Sequence, residues 1–166
     1  LCVARLGESG RKGVPVVNPD IRVWDVKRGG KHVGLFYFDP YARPHKESGA
    51  WMNAYRSQER FDGEVTTLVS NNCNYMKPPP GKPVLVSWDD AVTLFHEFGH
   101  GLHGLASSVR YPSLSGTNVA RDYVEFPSQL LESWLPTREV LNRFARHCET
   151  GEAMPESTLA DVASAG

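Results

Sequence analysis

Apolar residues recur at Ala91, Leu94, Phe95, Phe98, Leu102 and Leu105, a stripe with the 3.6-residue period of an amphipathic helix. Ser87-Trp88-Asp89-Asp90 supplies its start: a serine N-cap with an acid three residues on, and negative charge in the first turn, where the helix dipole favours it. Gly99, Gly101 and Gly104 each cost about 1 kcal/mol of helix propensity relative to alanine, so something is expected to pack or bind close to the backbone there. Upstream the period changes. Val23-Trp24, the pair Gly29-Gly30 and Val33-Gly34-Leu35-Phe36-Tyr37-Phe38 predict a hairpin, closed by Asp39-Pro40. Glu64-Val65-Thr66-Thr67-Leu68-Val69-Ser70-Asn71 is the clearest strand, β-branched in its middle and polar at its ends.

The remaining segments are weaker. Residues 1–20, with glycines at 7, 10 and 13 and prolines at 15 and 19, predict loop. Residues 41–60 show no period; Arg43, His45 and Lys46 could recognise a carboxylate, although a solvated loop is the simpler expectation. Lys77-Pro78-Pro79-Pro80-Gly81-Lys82-Pro83 is a stiff connector and 107–118 a loop. Val124, Leu131, Trp134 and Leu135 predict a helix that either kinks or begins at Pro127. Further helices are expected over Arg138–Cys148 and Pro155–Ala165. The pattern predicts a mainly α chain with a small β-sheet. It forms one domain over 1–166: loop (1–20), a small β-rich part with its connector (21–86) and a helical part (87–166). The absence of a starting methionine and the end inside a helix-like stretch suggest a piece of a longer protein.

Composition changes this picture little. With 166 residues, 22% of them charged, and a net charge of −1, the chain has no basic footprint for nucleic acid. No apolar run approaches the ~20 residues of a membrane span, and no signal peptide opens the sequence. Cys2, Cys73 and Cys148 are odd in number and form no C-x-x-C pair, which fits reduced thiols in the cytoplasm and argues against cysteine-ligated metal. The serines of 107–118 lack the G-x-S-x-G context of a nucleophile.

Candidate chemistry lies on the predicted helix, in His96-Glu97-Phe98-Gly99-His100. Residues i and i+4 lie about 40° apart around a helix, so both imidazoles can reach one ion, while Glu97, about 100° from His96, can touch a water beside it. His103 shares a face with His96 but lies about 10 Å further along the axis, too far to complete a set of bonds of about 2 Å. Ala106 stands where the longer H-E-x-x-H-x-x-G-x-x-H pattern needs its third histidine. A third ligand must come from elsewhere, and Glu125 is a candidate; Glu132, two turns on, is either a carboxylate supporting a ligand histidine or a solvated side chain. The strand 64–71 is either a buried sheet strand or an edge beside the metal that could pair with an extended peptide.

Leu94 to His103 resembles the catalytic helix of the thimet-oligopeptidase family of zinc metallopeptidases, and Val124-Glu125-Phe126-Pro127-Ser128-Gln129 resembles that family's second motif. Tyr41-Ala42-Arg43, Gly49-Ala50-Trp51-Met52, the loop 111–118 with Arg121-Asp122, and Arg146-His147 with 151–155 are similar to its bacterial peptidyl-dipeptidase branch. The resemblance runs from about Arg22 to the end. It implies a zincin-like, mostly helical fold, of which this chain is part of the catalytic domain. It also implies one zinc ion held by His96, His100 and Glu125, with Glu97 taking the proton from the attacking water. The expected substrates are short peptides, losing C-terminal dipeptides. Internal cleavage by an oligoendopeptidase, or zinc binding without turnover, are the alternatives. The substrate-binding residues and oligomeric state are left open, because the family's tyrosines and histidine that hold the substrate have no counterpart in this stretch.

Overall fold

The computed structural model describes residues 2–5 and 13–158. Five strands are present among them: β1 (Cys2–Arg5), β2 (Arg22–Arg28), β3 (Lys31–Tyr41), β4 (Trp51–Arg56) and β5 (Thr67–Tyr75). They form one mixed sheet in the order β1-β2-β3-β5-β4. Every neighbouring pair is antiparallel except β3 and β5, which run parallel. Three α-helices follow: α1 (Trp88–Ala106), α2 (Phe126–Trp134) and α3 (Arg138–Phe144), with a 3₁₀ turn at Pro112–Leu114. Helix α1 lies across one sheet face, where Leu105 packs with Val26, Phe36 and Val69, and Phe98 and Leu102 pack on the rim of that cluster. Ile21, Val23 and Tyr37 point to the other face, where Val14 and Val16 of the preceding segment pack against them. One core thus holds helix on sheet and the other holds loop on sheet. Both follow from the side-chain alternation of β2, β3 and β5.

The approach of α1 to the sheet depends on its glycines. A Cβ at Gly104 would sit 2.9 Å from Val69 Cγ1, so no side chain fits between helix and β5 there. The capping box at the start of α1 is complete: Ser87 Oγ accepts from Asp90 N–H (3.0 Å) and Asp90 Oδ2 accepts from Ser87 N–H (3.0 Å).

The expected mainly α fold is corrected. Strands of 4, 7, 11, 6 and 9 residues match helices of 19, 9 and 7, so the described chain is an α+β layer of helices on one mixed sheet. The misjudgement arose where strands lack an autonomous signal. Cys2–Arg5, expected as loop, pairs with β2 at the sheet edge. Trp51–Arg56, without period in the sequence, is a strand because β5 offers it a partner. The hairpin forms about Gly29-Gly30, both at positive φ, but β3 runs on through Asp39-Pro40 to Tyr41. The parallel register with β5 shifts between Asp39 and Tyr41, so Pro40, which has no N–H to donate, stands outside the ladder. The strand expected at 64–71 begins later, at Thr67, and continues through Asn71-Asn72 to Tyr75.

Two expected helices are also corrected. The one over Arg138–Cys148 stops at Phe144, because Arg146 turns back to bridge Ala153 around Gly151 at φ 71°. Of the helix expected over Pro155–Ala165, 156–158 are helical and 159–165 lie outside the described residues. The helix expected around Pro127 begins at Phe126, with the proline in its first turn, where its missing N–H costs nothing. Arg43 and Lys46 do meet a carboxylate, but an internal one, Asp39 at 2.7 and 3.0 Å.

Candidate active site

Helix α1 presents His96 and His100 one turn apart, and Glu125 arrives as the residue that opens α2. His96 Nε2 lies 3.1 Å from His100 Nε2, and Glu125 Oε2 lies 3.2 Å from the first and 3.1 Å from the second. Four donors arranged tetrahedrally at about 2.0 Å from an ion stand about 3.3 Å apart, so this triangle matches one face of such a site. Its electrostatics point the same way. Burial lowers the His100 pKa against the pull of Glu125, favouring a neutral ring with a lone pair. Glu132 Oε1 is bonded to His96 Nδ1, which places the proton on Nδ1 and leaves the Nε2 lone pair facing Glu125. His96, His100 and Glu125 thus form a group that could hold a metal ion.

The two glutamates differ. Glu97 is buried, and burial raises its pKa, with Glu125 adding to the shift and His96 and the backbone N–H of Met52 opposing it. Glu125 is half exposed at the side chain. Its pKa is lowered first by the hydrogen bond from Ser128 and then by the two histidines, which outweigh slight desolvation. Ser128 Oγ lies 2.8 Å from Glu125 Oε2, the atom that faces the histidines.

His103, set aside above as a ligand, lines an apolar cleft formed by residues of α1 and α2, with its ring 6.1 Å from that of Tyr123. The edge-strand reading of 64–71 is overturned, since β5 lies between β3 and β4. The edge beside α1 is β4, whose Met52 reaches Glu97. Instead of a peptide, β5 receives α1. Asn71, fully buried, donates from Nδ2 to the Glu97 carbonyl (3.0 Å) and accepts at Oδ1 from Phe98 N–H (2.8 Å). Sequence reasoning missed Asn71 and Ser128. The signal for the first was there in Ser70-Asn71-Asn72, a polar run inside a strand otherwise built for burial. For Ser128 it was a hydroxyl three residues after the candidate ligand, within reach of its carboxylate in a first helical turn.

Comparison with known proteins identifies a family. The family model described as "Peptidase family M3" matches residues 7–165. A protein named dipeptidyl carboxypeptidase from Salmonella typhimurium is 49% identical over 146 residues, 87% of this chain and 21% of its own length. Its namesake from Escherichia coli is 48% identical over 147 residues, 88% of the chain and 21% of its own length. Oligopeptidase A from Escherichia coli is 41% identical over 153 residues, 90% of the chain and 22% of its own length. The chain therefore spans about a fifth of the length of these relatives. Among the described residues no helix is long and apolar enough to cross a membrane.

Proposed function

The chain belongs to peptidase family M3, and on that premise we propose that it is the metal-binding part of a zinc peptidase that releases dipeptides from the C termini of short peptides. The observation that carries the reading is the triangle of His96, His100 and Glu125 donors at 3.1–3.2 Å, with buried Glu97 one residue from its first corner. Two nitrogens and one carboxylate oxygen suit zinc, and three protein ligands are the number found in catalytic rather than closed structural sites. Zinc held there would supply Lewis acidity, polarising a carbonyl and lowering the pKa of bound water to about 7.

The chain's own groups supply the proton traffic. Glu97, its carboxylate made more basic by burial, takes the proton at its free oxygen as water attacks the scissile carbonyl. It then returns that proton to the amine as the C–N bond breaks. Glu132 holds the His96 ring, and with it the tautomer, in place. Glu125 stays ionised and acts as a ligand only.

The test is mass spectrometry of N-terminally blocked peptides incubated with the intact protein and zinc. Release of C-terminal dipeptides, halted by a chelator, is the expected result. Internal fragments instead of dipeptides would favour the oligopeptidase reading, in line with the oligopeptidase A relatives. Untouched peptides would overturn both.

A further inference from the structure

We propose that Ser128, admitted to the site by Gly99, is a positioning residue that sets the Glu125 carboxylate before any metal arrives. The inference rests on the metal-site reading above and concerns how the third corner is built. Glu125 needs fixing: its side chain is 49% exposed and it precedes α2, so its rotamers are otherwise free. Ser128 is fully buried, and its Oγ lies 2.8 Å from Oε2, the one Glu125 atom that faces both histidines. The hydroxyl has a single proton and a second possible acceptor, the Glu125 carbonyl, also at 2.8 Å. That carbonyl already accepts from Gln129 N–H at 2.9 Å. The carboxylate is the stronger acceptor because its bond is charge-assisted, so the proton belongs there.

Gly99 makes this possible from the opposite side. A Cβ on Gly99 would stand 2.5 Å from Ser128 Cα and 2.6 Å from Pro127 O. The backbones of α1 and the first turn of α2 therefore touch at this point. A side chain at 99 has to push Ser128 outward, and Glu125 with it, while His96 and His100 stay on their own helix. Position 99 thus sets the third ligand's distance from the other two without touching the ion.

The test is zinc affinity of the intact, metal-stripped protein by competition with a chromophoric chelator, with the Co(II) absorption spectrum as a report on ligand geometry. Ser128→Ala is expected to weaken zinc about 10–100-fold, the usual loss for a partner of a metal ligand, and to alter the Co(II) bands while the metal-free protein keeps its circular dichroism. Wild-type zinc affinity with an unchanged Co(II) spectrum in that variant overturns the inference. Should Ser128→Ala not fold, Gly99→Ala carries the test. Weaker zinc binding with native near-UV dichroism supports the inference, and unchanged binding overturns it. The underlying metal-site reading fails separately, if wild type takes up no zinc or Glu125→Ala binds it as wild type does.

Discussion

Glu97 and Glu125 carry the same functional group in opposite surroundings, and in the proposed reading those surroundings divide their work. Burial keeps Glu97 more basic than an ordinary glutamate, while the Ser128 hydroxyl and two imidazoles keep Glu125 more acidic. Carboxylates pushed apart in this way separate a proton acceptor from a permanent ligand. Glu97→Gln keeps the shape and removes the charge, so zinc affinity should persist. Turnover of a blocked peptide should fall by about 10²–10⁴, the usual contribution of a general base. Near-normal kcat, or loss of the metal along with activity, would remove Glu97 from this role. At this scale the sequence was legible for His96, Glu97 and His100, because one helical turn relates them. It was less so for Glu125, whose meeting with them depends on where α2 packs.

Helix α1 is the element that carries the site, and its start was written in four consecutive residues. Ser87 and Asp90 satisfy each other's backbone donors, so removing the Ser87 hydroxyl unties the first turn. Ser87→Ala should lower stability by about 1 kcal/mol, read as a shift in urea midpoint. Zinc affinity should hold, since His96 stands more than two turns away. An unchanged midpoint would show that the cap contributes nothing here. The stripe of α1 and its cap were readable because both are local. Strand β4 was not: four of its six residues are exposed, and its conformation is held by pairing with β5 rather than by its own preferences. Helix α2 shows the intermediate case. Pro127 restricted its start to two choices, and packing against Gly99 accompanies the choice made.

Across the whole molecule, Asp39 ties the end of β3 to its neighbours. Its carboxylate accepts from Arg43 Nη1 and Nη2 at 2.7 Å, and Lys46, buried at its tip, bonds the carbonyls of Asp39 and Tyr41 at 3.0 Å and that of Cys73 on β5. Burial alone would raise the Asp39 pKa, but the bonds from Arg43 and Lys46 outweigh it and hold the carboxyl below its ordinary value. A depressed folded pKa adds stability that is complete above the unfolded value of about 3.9 and is lost as pH falls through the lower folded value. The urea midpoint of wild type should therefore drop more between pH 6 and pH 2.5 than that of Asp39→Asn. Parallel curves would mean that Asp39 does not govern the acid limb.

By itself the sequence determined helix α1, its cap, the spacing of the two histidines and their glutamate, the Gly-Gly hairpin and the presence of a strand near 64–71. All of these rest on contacts within a turn or two of chain, or on a period that repeats along it. Tertiary structure decided the rest. It placed β1 and β4 in a five-stranded sheet, which overturned the mainly helical expectation, and it put β5 inside that sheet rather than at its edge. It also brought Glu125, Glu132 and Asn71 to α1 from 25 to 36 residues away in sequence. Local spacing cannot encode such meetings, because they are set by how closely backbones approach. In this chain that approach is governed by glycines whose missing side chains leave room for β5 and for Ser128.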